Sequence, residues 1–318
     1  MSIDNTSAGP GRGVIVAIVV TVLAWASAFI VIRGTGEFIS GGALALGRLV
    51  VGAVLLGVVV LLRGRWVRPS AREWLQITGF GVLWFGAYNV ALNIAEHTLD
   101  AGTTSMLVNI GPILVALGAG VFLREGIPKW LAIGAGVALV GVILIGIGSA
   151  ASNDGGVRFG DGTGVLWCLA AALAYAIGVL LQKPTLRRIP NAQVTWLGCV
   201  IGMVACLPFT GDLLREVQDA PTSAILGVLY LGAVPTAVAF STWGYALSRM
   251  PAGQLGITTY LVPPLVITFG LIVFGEVPPP LAIVGGTVCL VGVALSRRRP
   301  RKAPAAVPVT DPDKTMAE

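Results

Sequence analysis

The sequence predicts an all-α membrane protein: ten transmembrane helices built as two inverted-topology repeats of five. Three observations predict it. First, only 11 % of the 318 residues are charged and 55 % are hydrophobic, with a mean hydropathy of +0.87, whereas a soluble domain carries about 25 % charge. Second, apolar runs of about 18–24 residues recur along the chain, each long enough at ~1.5 Å per residue to cross a hydrocarbon core of ~30 Å. Third, residues 101–144 and 252–295 align without a gap at an offset of 151, with 14 of 44 positions identical. Pro112/Pro263, Glu125/Glu276, Pro128/Pro279, Gly134/Gly285 and Gly141/Gly292 are among the matches. Self-similarity at a fixed period marks an internal repeat.

Taken in order, residues 1–12 are a polar tail. The predicted spans are 13–32, 41–62, 74–95, 101–123 and 130–149, then, after a linker at 150–161, 162–182, 192–210, 223–246, 252–274 and 279–296. Residues 297–318 are basic and Pro-rich, and read as a disordered tail. The first span, followed by Ala26-Ser27-Ala28, has the outline of a signal peptide. The repeat argues that it is retained, because ALAYAIGVLLQK (172–183) aligns with VLAWASAFIVIR (22–33), pairing Trp25 with Tyr175 and Arg33 with Lys183. The two repeats are 13–149 and 162–296.

The loops orient the chain. The tails and even-numbered loops carry 17 Lys or Arg; the odd loops carry only Arg33, Arg158 and Arg215. The positive-inside rule then places both termini in the cytoplasm, with the protein in the cell (inner) membrane. The net charge of +6 is thus a topology signal with a contribution from anionic lipid, and not the footprint of nucleic-acid binding. Five spans per repeat is an odd number, so the halves cross the bilayer in opposite directions. Secondary transporters are built this way, with the substrate near the midplane between the repeats.

At this point the residues resemble a known family. WASAFIVIRG at the first span, the arginine in LGRLVVGAVLL, and YNVALNIAEHTLDAGTTSMLVNIGPILVALGAGVFLREGI with its second copy are similar to the EamA domain. Two EamA domains make a ten-helix carrier of the drug/metabolite transporter superfamily. The resemblance covers about 13–296 and implies a carrier of small metabolites, often an exporter of amino acids or related compounds.

The candidate site residues are polar or aromatic groups inside spans. Asn89 and Asn93 share a helical face, and Asn109 sits in the next span at a similar depth to Asn89. Their amides either glue helices together or face a wet cavity, and the cavity is favoured because Tyr88 and the aligned Phe240 and Tyr260 occupy related positions. Trp25, Tyr175, Trp243, Tyr245 and Tyr260 are interior aromatics, each readable as lining or as packing and interface anchor. Arg48 is the charge well inside a span; it either snorkels outward or serves a cavity, where an anionic group on the substrate is a partner. Pro112, Pro263 and Pro264 sit mid-span, as kinks alone or as hinges. Glu125 and Glu276 organise turns, and the repeated glycines read as close helix packing.

Other classes of function find no support. The four cysteines lie in apolar runs and His97 stands alone, so no metal or cofactor is expected. There is no nucleotide-binding motif. A hydrolase would need His97 beside a serine such as Ser105 or Ser241, and no nucleophile motif surrounds either. No Asp or Glu falls within any predicted span, which disfavours exchange against protons. The expectation is a transporter of small molecules, embedded in lipid and able to act as a monomer. Substrate would bind among spans 1, 3, 4, 6, 8 and 9; the alternatives are a multidrug efflux carrier and a non-transporting scaffold or receptor.

Overall fold

The computed structural model describes residues 11–122, 129–151, 162–275 and 277–296. They form helices with no strand among the described residues. α1 (Arg12–Thr35), α2 (Gly41–Arg63), α3 (Ala71–Glu96), α4 (Ala101–Phe122), α6 (Thr163–Thr185), α8 (Thr222–Leu247) and α9 (Ala252–Phe274) are each long and apolar enough to cross a membrane. α7 (Asn191–Ala205) bends by 53° into a second limb, Leu207–Asp219. α5 (Lys129–Ala151) and α10 (Pro280–Ser296) contain shorter apolar stretches. The outward face carries large bare side chains such as Val54, Leu75, Leu166 and Ile272, as a lipid-facing surface requires and a water-facing one does not.

Local chemistry sets the helix ends. Ser70 and Glu73 make a reciprocal capping box at the start of α3. Asp100 accepts from the Thr103 N–H to start α4, at 2.8 Å. α2 stops at Gly64, whose φ of +61° only glycine adopts without strain.

Two ends of the bundle are identifiable from contacts. At one, the α2–α3 connection meets the α6–α7 connection, with the Gln193 amide receiving from Val67 N–H (2.9 Å) and donating to Val67 C=O (2.7 Å). Lys183 at the end of α6 donates there to the carbonyls of Leu247 and Met250. At the other end, Arg33 donates to the Glu96 carbonyl (3.2 Å), and Ser40 donates through N–H and Oγ to Glu216 Oε2 (2.8 and 3.0 Å). α1 starts with Gly13 beside Tyr245 at the first end; α6 starts with Gly164 beside Thr98 and Leu99 at the second. Corresponding helices of the halves therefore run in opposite directions. The third helix of each half packs on the second helix of the other. A Cβ on Gly81 would lie 2.7 Å from the Gly198 carbonyl oxygen, and one on Gly232 2.7 Å from that of Arg48. The repeated glycines of α5 and α10 also meet: a Cβ on Gly285 would be 2.6 Å from the Gly141 oxygen, and one on Gly292 2.6 Å from the Gly134 oxygen.

Several expectations change. The seventh predicted span, 192–210, is neither straight nor complete. Pro208 stands at the start of a short 3-10 turn, and DLLREVQD continues as helix instead of loop. That limb is amphipathic and lies across the Ser40 end of α2. α3 extends past the predicted limit of residue 95, so Glu73 and Glu96 fall inside a span after all, and the Glu96 side chain is buried. The turn-forming Glu125 and Glu276, and both tails, lie outside the described residues.

Candidate functional site

α3 and α8 each contain seven residues of π-helix, Gly81–Ala87 and Gly232–Val238, at equivalent places in the repeat. A π-bulge widens the helix and re-aims its side chains, a device frequent at functional sites. α4 and α9 are interrupted at equivalent places too. α4 breaks at Asn109–Ile110, just before Pro112; α9 passes through a 3-10 turn at Thr259–Leu261, just before Pro263 and Pro264. All four irregularities face one another.

Between them lies a narrow cavity of about 60 Å³, smaller than the roughly 300–1,000 Å³ of an ordinary small-molecule site. Its walls are Trp25 and Phe29 from α1, Arg48 from α2, and Trp84, Tyr88 and Asn89 from α3. Asn109 and Pro112 of α4, Tyr175 of α6, Phe240 of α8 and Thr259 of α9 complete it. Trp84 is the hub of the aromatic wall: its ring centroid is 4.9 Å from Phe240, 5.0 Å from Tyr175 and 6.1 Å from Trp25.

The polar groups are held in fixed roles. Arg48 is 3 % exposed and does not snorkel; its Nε donates to Thr236 Oγ1 at 3.1 Å, and that hydroxyl donates on to the Leu231 carbonyl at 2.8 Å. Asn89 Nδ2 donates to the carbonyls of Trp84 (3.3 Å) and Phe85 (2.7 Å), both in the π-helical turns. Asn109 Nδ2 donates to the Ser105 carbonyl at 2.8 Å, at the point where Pro112 interrupts the ladder. Asn89 thus directs both N–H groups at backbone and has its oxygen left for a ligand, whereas Asn109 has its oxygen and one N–H left. Trp25 Nε1 donates to the Pro235 carbonyl at 3.3 Å, tying α1 to the second π-helical segment.

Not every sequence-nominated residue reaches this cavity. Asn93 is one turn beyond it, donating to the Gly41 carbonyl at 2.9 Å, because α2 without a side chain at Gly41 comes close enough to take the amide. Trp243 stands behind the wall, its ring 5.0 Å from that of Trp25. Tyr245 is at the Arg63 end of the bundle, exposed beneath the Arg249 guanidinium, which lies 3.6 Å from the ring centre. Tyr260 faces a neighbouring apolar cavity, with Asn109, Pro263 and Pro264, between α4, α9 and α10. Sequence reasoning passed over Trp84, Thr236 and Thr259. Trp84 was findable, since it lies mid-span between glycines at 81 and 86.

Ser105 Oγ donates to the Gly102 carbonyl at 2.7 Å, inside α4. Among the described residues no group of three or more His, Cys, Asp or Glu could hold a metal ion.

Comparison with known proteins places this architecture. The model of the EamA-like transporter family matches residues 12–147 and again 162–298. The chain is 35 % identical over 283 residues to a probable terminal-alkyne amino-acid exporter of Streptantibioticus cattleyicolor, covering 89 % of this chain and 93 % of that one. It is 34 % identical to the uncharacterized transporter YdfC of Bacillus subtilis, covering 86 % and 87 %. It is 26 % identical to a probable amino-acid metabolite efflux pump of Salmonella typhimurium, covering 69 % and 75 %. A solved crystal structure superposes with a TM-score of 0.62 at 18 % identity, over 89 % of this chain and 96 % of that one, which supports the fold alone.

Proposed function

The chain belongs to the EamA-like transporter family, and from that premise we propose that it exports an amino acid or closely related zwitterionic metabolite by alternating access. The observation that carries this reading is the division of charge in the cavity. Arg48 supplies a guanidinium for a carboxylate. The Asn89 and Asn109 oxygens, with the faces of Trp25, Trp84 and Phe240, supply the acceptors and negative ring surfaces that an ammonium group takes. A neutral zwitterion satisfies both while adding no net charge to that of Arg48. A cationic drug would meet Arg48 as a like charge, so the multidrug reading is the weaker one. The relatives named as amino-acid exporters support the same substrate class and the outward direction.

In this reading the ten helices cross the inner membrane with both termini in the cytoplasm, which the distribution of 17 basic residues against 3 supports. The repeat units 13–149 and 162–296 rock about the cavity. The breaks before Pro112 and before Pro263-Pro264 are the places where α4 and α9 bend, since fewer ladder hydrogen bonds resist motion there.

The test is flux of labelled amino acids in vesicles holding the purified protein. Movement no faster than in empty vesicles, for amino acids and other small metabolites alike, overturns the carrier reading. Asn109→Leu is expected to cut transport about fivefold with the protein still folded, the loss of roughly one hydrogen bond to the substrate; unchanged transport removes Asn109 from the site.

A further inference from the structure

At the Arg63 end of the bundle is a second recess, of about 690 Å³, formed by the end of α2, the α6–α7 connection and the end of α8. We propose that it binds the phosphate-bearing headgroup of an anionic phospholipid, held across the two halves of the protein.

Five guanidinium side chains line it: Arg63, Arg65, Arg187, Arg188 and Arg249. No carboxylate lines it. Two of the five are already engaged. Arg188 Nε donates to Glu73 Oε1 at 2.8 Å and its Nη2 to the Arg68 carbonyl at 2.8 Å, and Arg249 lies on the Tyr245 ring. The guanidinium groups of Arg63, Arg65 and Arg187 have no hydrogen bond or ion pair among the described residues. Three free guanidinium groups converging on one space repel one another, and a group carrying phosphate oxygens relieves that repulsion with bidentate hydrogen bonds. Asn191, Gln193 and Ser248 add neutral polar groups to the walls, as a glycerol-bearing headgroup requires.

The rim points to a lipid as the source of the phosphate. Leu61 and Leu62, on the last turn of α2 beside Arg63, are 81 % and 83 % exposed. Trp66 follows, exposed, with its ring edge against Trp196 at 6.1 Å. Bare leucines next to an interfacial tryptophan mark the level at which acyl chains begin and headgroups end. A lipid seated there puts its chains on the leucines and its phosphate among the arginines, whereas a soluble anion has no use for that apolar rim. Basic pockets between membrane helices are known takers of such headgroups.

The site joins the halves. Arg63 and Arg65 belong to the first, Arg187 and Arg249 to the second. Beside it, the Arg188–Glu73 ion pair and the Gln193–Val67 hydrogen bonds join the same connections. A bound headgroup adds a third bridge on this face of the molecule and favours the arrangement described here. This inference is independent of the transported substrate.

The full-length protein in neutral detergent provides the test, with thermal stability followed during titration by phosphatidylglycerol, cardiolipin, phosphatidylcholine or inorganic phosphate. Phosphatidylglycerol and cardiolipin are expected to raise Tm, and phosphatidylcholine and phosphate to leave it unchanged. The double variant Arg63→Gln/Arg187→Gln is expected to bind the anionic lipids about tenfold more weakly or worse, with its Tm in phosphatidylcholine like that of the parent. Should that variant fail to fold, Arg65→Gln alone carries the test with a smaller loss. Arg72→Gln, at the same end but outside the recess, serves as the control. An equal loss in the control would reduce the effect to general surface charge, and an equal response to inorganic phosphate would make this a soluble-anion site; either result overturns the proposal. So does anionic lipid performing no better than phosphatidylcholine.

Discussion

The same seven-residue widening occurs in α3 and in α8, and different side chains hold it. At Gly81–Ala87 the Asn89 amide donates to two carbonyls of the widened turns. At Gly232–Val238 the residue aligned with Asn89 is Phe240, and Thr236 takes over, donating to the Leu231 carbonyl while receiving from Arg48. Arg48 in turn corresponds to Gly198, since Gly232 meets the Arg48 carbonyl as Gly81 meets that of Gly198, and so the second half has no side chain at this place. A second contrast lies one turn outward. In the first half an amide on the third helix, Asn93, reaches across to Gly41 on the second. In the other half the amide sits on the second helix, where Asn191 donates to the Ser241 carbonyl at 2.8 Å, and the glycine, Gly244, is on the third. Amide and glycine have traded places. Duplicated backbone keeps its breaks and crossings, because these depend on where helices approach. The groups that satisfy them are free to differ, and the difference is what makes an asymmetric cavity out of a symmetric frame.

That contrast can be broken at several points. The largest effect is expected at Arg48. Arg48→Met should lower amino-acid flux by well over tenfold, because no other Lys or Arg among the described residues lines the cavity. Cys199→Ala, beside the matching Gly198, should change flux by less than twofold; comparable losses in both would mean the asymmetry is not functional. Next comes Gly244→Ala, whose Cβ would overlap Asn191 Oδ1. Displacing that amide forfeits its bonds to Ser241 and Thr195 and should cost about 3 kcal/mol in denaturant titration. Exchanging the first-half pair, Gly41→Asn with Asn93→Gly, should recover more than ~1 kcal/mol relative to the sum of the single changes. Additive losses would show that the traded pair is coincidental.

Smaller effects separate the two π-helical segments. Asn89→Leu removes two donated hydrogen bonds and should destabilise by about 1–3 kcal/mol; Thr236→Val removes one donated bond and the one received from Arg48, and should cost less, about 1 kcal/mol, because Arg48 keeps the cavity for its donors. The reverse order would show that the Arg48–Thr236 link matters more than the two carbonyls. The least expected change is at His97, aligned with Ser248. Burial, and then the Arg33 charge, hold its pKa below the ordinary histidine value. Its neutral form therefore favours the fold. That contribution is present above about pH 6.5 and is lost as pH falls through the lower native value. Between pH 7.5 and 5, Tm should fall less in His97→Gln than in the parent; equal slopes would remove His97 as a contributor.

Much of the frame was legible in the sequence. Span positions follow from hydrophobic length, and the opposed direction of the halves follows from an odd number of spans in a duplicated unit. Trp25, Tyr175, Asn89, Asn109 and Arg48 were conspicuous because polar and aromatic groups in an apolar run have few reasons to be there. The π-helical turns were not legible. Nothing in GVLWFGA distinguishes seven widened residues from ordinary helix, and Pro235 was not singled out as a kink site. Asn93 misled because period alone puts it on the Asn89 face, whereas the partner at Gly41 is a matter of how closely α2 approaches. Glu96 was missed because hydropathy ended α3 one residue before it, although tertiary packing buries it. α7 looked straight because an amphipathic limb gives no long apolar run.

The glycine contact between α5 and α10 has one more property. Gly285 aligns with Gly134 yet touches Gly141, and Gly292 aligns with Gly141 yet touches Gly134. That is the reciprocal pattern of an isologous interface, in which a surface binds a copy of itself about a two-fold axis. One polypeptide therefore contains what is, at this seam, a homodimer with its subunits tethered. Equivalent substitutions on the two sides, such as Gly134→Ala and Gly285→Ala, are then the same lesion.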